Sequence, residues 1–136
     1  MITEHIAAKV QEAALIHPHD LKAVMGKQVI QIIYTENISF EKDKFKAFFD
    51  AGKLIYPLIL RKWEYGDRFI PLGMKTFKKV SDFFIDEKVP LPLKDQIPVL
   101  VNGNGELIWI AGMRQDNRYK LTAATKKVAI FELKIS

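Results

Sequence analysis

Asn102-Gly103-Asn104-Gly105 lies between two apolar runs, Ile97-Pro98-Val99-Leu100-Val101 and Leu107-Ile108-Trp109-Ile110. Asn and Gly readily take the backbone conformations that a tight reversal demands, so this tetrapeptide turns the chain and pairs the flanking runs as an antiparallel hairpin. A chain holding such a hairpin near its C-terminal third is committed to a sheet. Three further runs read as extended: "KQVIQIIYTE" (27–36), "RYKLTA" (118–123) and "KKVAIFELKI" (126–135). Their β-branched content and polar borders are strand chemistry. "AGKLIYPLILRKW" (51–63) also reads as extended, with Pro57 on an edge or at a bulge because it has no N–H for a ladder.

Helical periodicity is confined to two places. "FKKVSDFFIDEK" (77–88) puts Phe77, Val80 and Phe84 on one stripe with charges opposite, and Thr76 stands where an N-cap belongs. Ile6, Val10 and Ala14 suggest a helix from about Glu4 to Leu15, which the "HPHD" at 17–20 ends. "SFEKDKFKAFFD" (39–50) is charged enough for a loop or one helical turn, and "VPLPLKDQIP" for a stiff linker. The expected fold is therefore mainly β, sandwich-like within the α+β class, with one short helix over 77–88.

Several chemistries lack their parts. With no cysteine there is no disulfide framework and no thiolate metal site. His17 and His19, with Asp20 beside them, have no second ligand cluster to complete a metal site, so a solvated turn is expected there. No Gly-rich phosphate loop and no nucleophile-elbow serine occurs. Asp82 and Asp86 are four apart on the expected helix, but Lys78 four residues before Asp82 makes a surface charge ladder the simpler reading than an acid–base pair. The N-terminus lacks the apolar core of a signal peptide, and no run is long enough for a membrane-spanning helix, which fits a cytoplasmic protein. No catalytic residue and no metal ligand is assigned.

Charge is distributed unevenly. Residues 1–52 carry six Lys/Arg against seven Asp/Glu, whereas residues 53–136 carry fifteen against nine, so the net +5 arises wholly in the latter part. Such asymmetry suits a polyanionic partner. Lys75, Lys78 and Lys79 surround the start of the expected helix, and Arg114, Arg118 and Lys120 follow the hairpin with Tyr119 among them. Gly66, Asp67, Pro71 and Gly73 would fix the intervening loop. Cations on adjoining rigid elements suit a sugar–phosphate backbone; a protein-interaction or dimerisation module whose charges only aid solubility is the other reading.

"LRKWEYGDRFIPLGM", "KKVSDFFIDEKVP" and "IWIAGMRQDNRYKLTAATK", in that order, resemble the C-terminal domain of bacterial tRNA(Ile)-lysidine synthetase. The resemblance runs from about Phe49 to Leu133 and divides the chain into a weakly assigned segment, 1–48, and a domain, 49–136. It implies a parent ligase that uses ATP, with Mg, to adenylate the wobble cytidine of an isoleucine tRNA before free lysine displaces AMP. The family's Ser-Gly-Gly-x-Asp-Ser ATP loop is absent here, so the chain reads as a C-terminal fragment without cofactor of its own. The resemblance further implies a β-sandwich also met in the phenylalanyl-tRNA synthetase β subunit, and a role in holding the tRNA acceptor stem. The implied partners are tRNA(Ile), with lysine and ATP reached through the absent catalytic domain, and a homodimer of the parent. A-form stems are held by shape, phosphates and 2′-hydroxyls, which is what a rigid cationic surface offers. On that reading Lys75, Lys78, Lys79, Arg114, Arg118 and Lys120 contact tRNA.

Overall fold

The computed structural model describes residues 13–135. Its centre is an antiparallel sheet in the order β1 (Ala14–Ile16), β5 (Leu58–Lys62), β8 (Pro98–Val101), β9 (Leu107–Ile110), β10 (Arg114–Gln115). β8 and β9 are the hairpin expected from the Asn-Gly turn, with a register shift between Leu100 and Val101. Every residue of both strands is buried. That explains why they read as continuous apolar runs instead of alternating ones: the sheet is covered on both faces.

One face packs against a second sheet, ordered β2 (Lys22–Met25), β3 (Gln28–Thr35), β11 (Val128–Ile135), β4 (Lys46–Asp50). β3 buries Ile30 and Ile32 and exposes Gln31 and Ile33, the alternation of a sheet with one covered side. Ile30, Ile32, Phe49 and Phe131 from this sheet share a core with Ile16, Leu58, Leu60, Leu100 and Ile108 from the central one. The opposite face of the central sheet, through Val99, Leu107 and Ile110, is covered by α1 (Val80–Asp86) and Phe69. Phe69 belongs to a small ribbon of β6 (Arg68–Phe69) with β7 (Lys78–Lys79). The fold is thus mostly β, a sandwich with a helical third layer. Strands from residues 14–35 pair with β5 and β11, so the front of the chain is woven into both sheets.

Some expectations are corrected. The helix is shorter than 77–88: Lys78 and Lys79 pair with Phe69 and Arg68 as β7, so Phe77 precedes the helix and is 48% exposed. The apolar stripe is Val80, Phe83 and Phe84, and burial of each such side chain contributes about 1.5–3 kcal/mol, which a seven-residue helix needs because it is not stable alone. Thr76 does not cap it; Lys79 occupies the N-cap without a side-chain bond, and the Val80 N–H donates to the Asp67 carbonyl at 2.9 Å. Residues 46–50 form β4, not loop or helix, because behind the charged flank Phe48 and Phe49 are both buried and the segment pairs with β11. A single helical turn, α2 (Leu91–Lys94), stands in the expected stiff linker, with Pro92 in its first turn where a missing N–H costs nothing. Residues 118–123 are not a strand: Asn117–Tyr119 is a 3-10 turn capped by the Asp116 carboxylate. The expected helix over Glu4–Leu15 lies mostly outside the described residues, and its last two residues belong to β1.

Candidate nucleic-acid interface

The loop scaffold begins with a charged fork. Arg61 donates from both terminal nitrogens to Asp67, at 2.9 and 3.0 Å, and the Glu64 N–H donates to the same carboxylate at 2.7 Å. Asp67 thereby closes the turn that Gly66 makes, and Arg61 is no free cation. Gly66 and Gly73 have φ of +94° and +90°, a region that penalises any side chain, which accounts for both glycines. Pro71 is buried and forms a β-bridge with Asp116.

Around that bridge the two basic segments are stitched together. The Leu72 N–H donates to the Gln115 carbonyl, the Asn117 N–H to the Ile70 carbonyl, and the Gly73 N–H to the Asn117 side chain. Asp116, wholly buried, accepts from the Ile70 N–H at 2.8 Å and the Arg118 N–H at 2.7 Å. Its two oxygens also hold the Arg118 guanidinium at 3.0 and 2.9 Å, while the Arg118 Nη1 reaches Glu106 at 2.6 Å. Hydrogen bonding to Asp116 raises the Arg118 pKa above its ordinary value. The Phe77 ring takes two guanidinium neighbours, Arg68 at 4.4 Å and Arg118 at 5.0 Å. Residues 68–79 and 114–120, read separately in the sequence, are adjoining walls of one surface.

The named cations fall into two groups. Arg118 is committed to Asp116 and Glu106, and Lys78 pairs with Asp86. Lys75, Lys79 and Lys120 are exposed, Arg114 is half-buried over the Phe83 ring at 6.0 Å, and none of the four has an ion pair among the described residues. His17 and His19 sit in a turn closed by the Asp20 N–H on the His17 carbonyl and the His17 N–H on the Asp20 carboxylate.

Tyr119 locks the hairpin tip to this surface. Its hydroxyl donates to Glu106 at 2.6 Å and accepts from Asn102 and Asn104 at 3.0 Å each. Burial first, then the bond to Glu106, pushes this phenol above its ordinary pKa. The folded state therefore favours the neutral phenol, a contribution fully present below the unfolded pKa and lost as pH rises from there through the higher folded pKa. The stability gap between the native chain and Tyr119→Phe is expected to hold level to about pH 9 and shrink above about pH 10. Urea titrations across that range check this, and a gap that persists undiminished assigns the alkaline limb to another group.

A second set of cations escaped sequence reasoning. Lys42, Lys44 and Lys46 lie across a groove from Arg114, although residues 1–52 are net acidic as a stretch. The signal was the alternation of Lys42, Lys44 and Lys46 ahead of Phe48-Phe49, an extended approach to a strand.

The model of the family described as the TilS substrate C-terminal domain matches residues 58–131. The chain is 41% identical over 100 residues to the tRNA(Ile)-lysidine synthase of Parabacteroides distasonis, covering 74% of this chain and 23% of that protein. Against the same enzyme of Caldanaerobacter subterraneus it is 40% identical over 93 residues, 68% of this chain and 20% of the relative. The chain thus spans less than a quarter of the length of these curated relatives. Among solved structures, one described as a TILS C-terminal domain superposes with a TM-score of 0.73 at 19% identity, over 90% of each chain. An N-terminal fragment of the phenylalanyl-tRNA synthetase β subunit from Pyrococcus horikoshii gives 0.53 at 21% identity, over 65% of this chain and 27% of that one. At such identities these two likenesses concern the fold, and they match the sandwich that the sequence resemblance implied.

Proposed function

The chain belongs to the TilS substrate C-terminal domain family, and from that premise we propose that it holds tRNA(Ile) for a lysidine synthase whose catalytic domain lies elsewhere. The carrying observation is the pair of stitched basic segments, which bear Lys75, Lys79, Arg114 and Lys120, none of them ion-paired among the described residues. Four such cations supply phosphate contacts without reading sequence, as duplex RNA requires. Lys78 is a weaker contact because Asp86 competes for it, though an exposed pair of this kind costs little to part. Arg118 acts by holding the surface together and not by touching RNA. The parent's ligation of lysine to the wobble cytidine, with ATP, is the activity this surface serves by fixing the acceptor stem.

Salt dependence tests the reading. With about four phosphates engaged, log affinity for tRNA is expected to fall with log salt at a slope near −3. Lys75→Ala with Lys79→Ala should flatten that slope by roughly 1.5 units while the protein stays folded. Binding indifferent to salt would point instead to an apolar protein interface, and an unaltered slope in the double variant would remove these lysines from the contact.

A further inference from the structure

The groove between residues 40–46 and β10 has a volume of about 580 Å³, within the range of small-ligand clefts. Phe40, Leu72 and Met113 line it with apolar surface, and Lys42, Lys44 and Arg114 supply charge. Lys46 is also present but is held by Glu41 at 3.0 Å. The acid in the lining, Asp43, turns to its own loop, accepting from the Phe45 N–H at 2.9 Å. The Phe40 ring is 51% exposed and stands edge-on to buried Phe48, at 5.4 Å between centroids, so its position is braced while part of it meets solvent. Gln115, a polar side chain well suited to reading a base edge, is bound at both amide atoms to the backbone of Phe48.

Charge beside a braced aromatic, without a free hydrogen-bonding amide, is the chemistry of stacking and phosphate attraction without sequence choice. Within a duplex the bases cover one another's faces, whereas an unpaired nucleotide can be splayed out and offer its own. We propose that this groove receives an unpaired nucleotide at the end of the RNA stem, the base on Phe40 and the phosphates toward Lys42, Lys44 and Arg114. The proposal rests on the RNA-holding reading above. It gives the arrangement of cations a direction: Arg114 also lies over Phe83 of α1, so the groove opens beside the helix that Lys79 precedes.

The test compares two RNA hairpins of about twelve base pairs, one blunt and one with about four unpaired nucleotides at its 3′ end, binding the full chain. The extended RNA is expected to bind about tenfold more tightly, and Phe40→Ala or Lys42→Ala with Lys44→Ala should erase that advantage and leave blunt-hairpin affinity nearly unchanged. Lys75→Ala with Lys79→Ala should weaken both RNAs alike. Equal affinity for the two hairpins, or an advantage that survives the groove variants, overturns the proposal while leaving the stem-holding reading intact. Failure to bind either RNA overturns both. A polyglutamate peptide that displaces the extended RNA from the groove, and loses this ability in the Phe40 and lysine variants, would assign it to an acidic protein segment instead.

Discussion

Asp116→Ala is expected to destabilise the fold by about 3 kcal/mol, the lower end of the cost of orphaning a buried ion pair, because Arg118 keeps Glu106. The carboxylate is fully buried and accepts four N–H bonds, two of them from the backbone of separate loops. Its loss leaves the Ile70 and Arg118 N–H groups without that acceptor and loosens the joint between the 70–77 loop and the 114–119 segment, which keeps the bonds from Leu72, Gly73 and Asn117. Asp116→Asn keeps an acceptor oxygen but presents an amide to the guanidinium, so an intermediate loss of about 1–2 kcal/mol is expected. Urea unfolding measures both, and a double-mutant cycle with Arg118→Ala isolates the pair from the backbone bonds. An alanine variant within about 0.5 kcal/mol of the native chain would mean that the loops are held by other contacts. Where the variant remains folded, RNA affinity should also drop although no cation has been removed, because Lys75 and Lys79 lose their fixed spacing from Arg114.

That carboxylate also shows what the sequence could and could not disclose. The segment Gly112–Lys120 carried part of the family resemblance, and its basic residues invited the reading that they touch nucleic acid. In the fold most of the segment is scaffold: Gln115 pins the backbone of Phe48, Asp116 joins two loops, Arg118 completes that joint and Tyr119 clasps the hairpin tip. Spacing alone does not distinguish a cation that meets a carboxylate 12 residues away, as Arg118 meets Glu106, from one that faces water. The hairpin, β3 and β11 were legible because their signals are local: a turn tetrapeptide and runs of β-branched residues. β4 was not, since its core-forming Phe48 and Phe49 sit behind a stretch of charge whose meaning depends on a partner strand 80 residues on, with Phe49 opposite Ala129. Phe77 was misread for a related reason. Helical spacing to Val80 is real, but pairing of Lys78 and Lys79 with β6 delays the helix and turns the ring toward two arginines.

Gly103→Ala should cost about 3 kcal/mol, at the upper end for forced overpacking, although the turn it occupies is at the surface. A Cβ there would stand 2.3 Å from the Ile55 carbonyl oxygen and 2.9 Å from its carbon. The obstacle is backbone, not the end of a flexible side chain, and it is fixed on both sides. The Gly103 N–H donates to that same oxygen at 2.7 Å, and the Ile55 N–H donates to the Asn102 side chain at 2.7 Å. Moving Ile55 aside therefore breaks the bonds that seat the hairpin tip on the segment before β5, and Asn102 is the residue that also reaches Tyr119. Gly105 in the same turn separates sterics from conformation: it has φ of +89° and nothing within 4 Å of an added Cβ, so Gly105→Ala should cost only the strain of about 1–2 kcal/mol. Denaturant midpoints for the two variants decide the matter. A Gly103 variant no worse than its Gly105 counterpart would show that the tip yields freely, and that the Asn-Gly repeat serves the reversal of the chain alone. The larger loss would show instead that the glycine chosen for a turn is also chosen for contact, which is the link between the local signal in the sequence and the packing that holds Tyr119 and Arg118 in place.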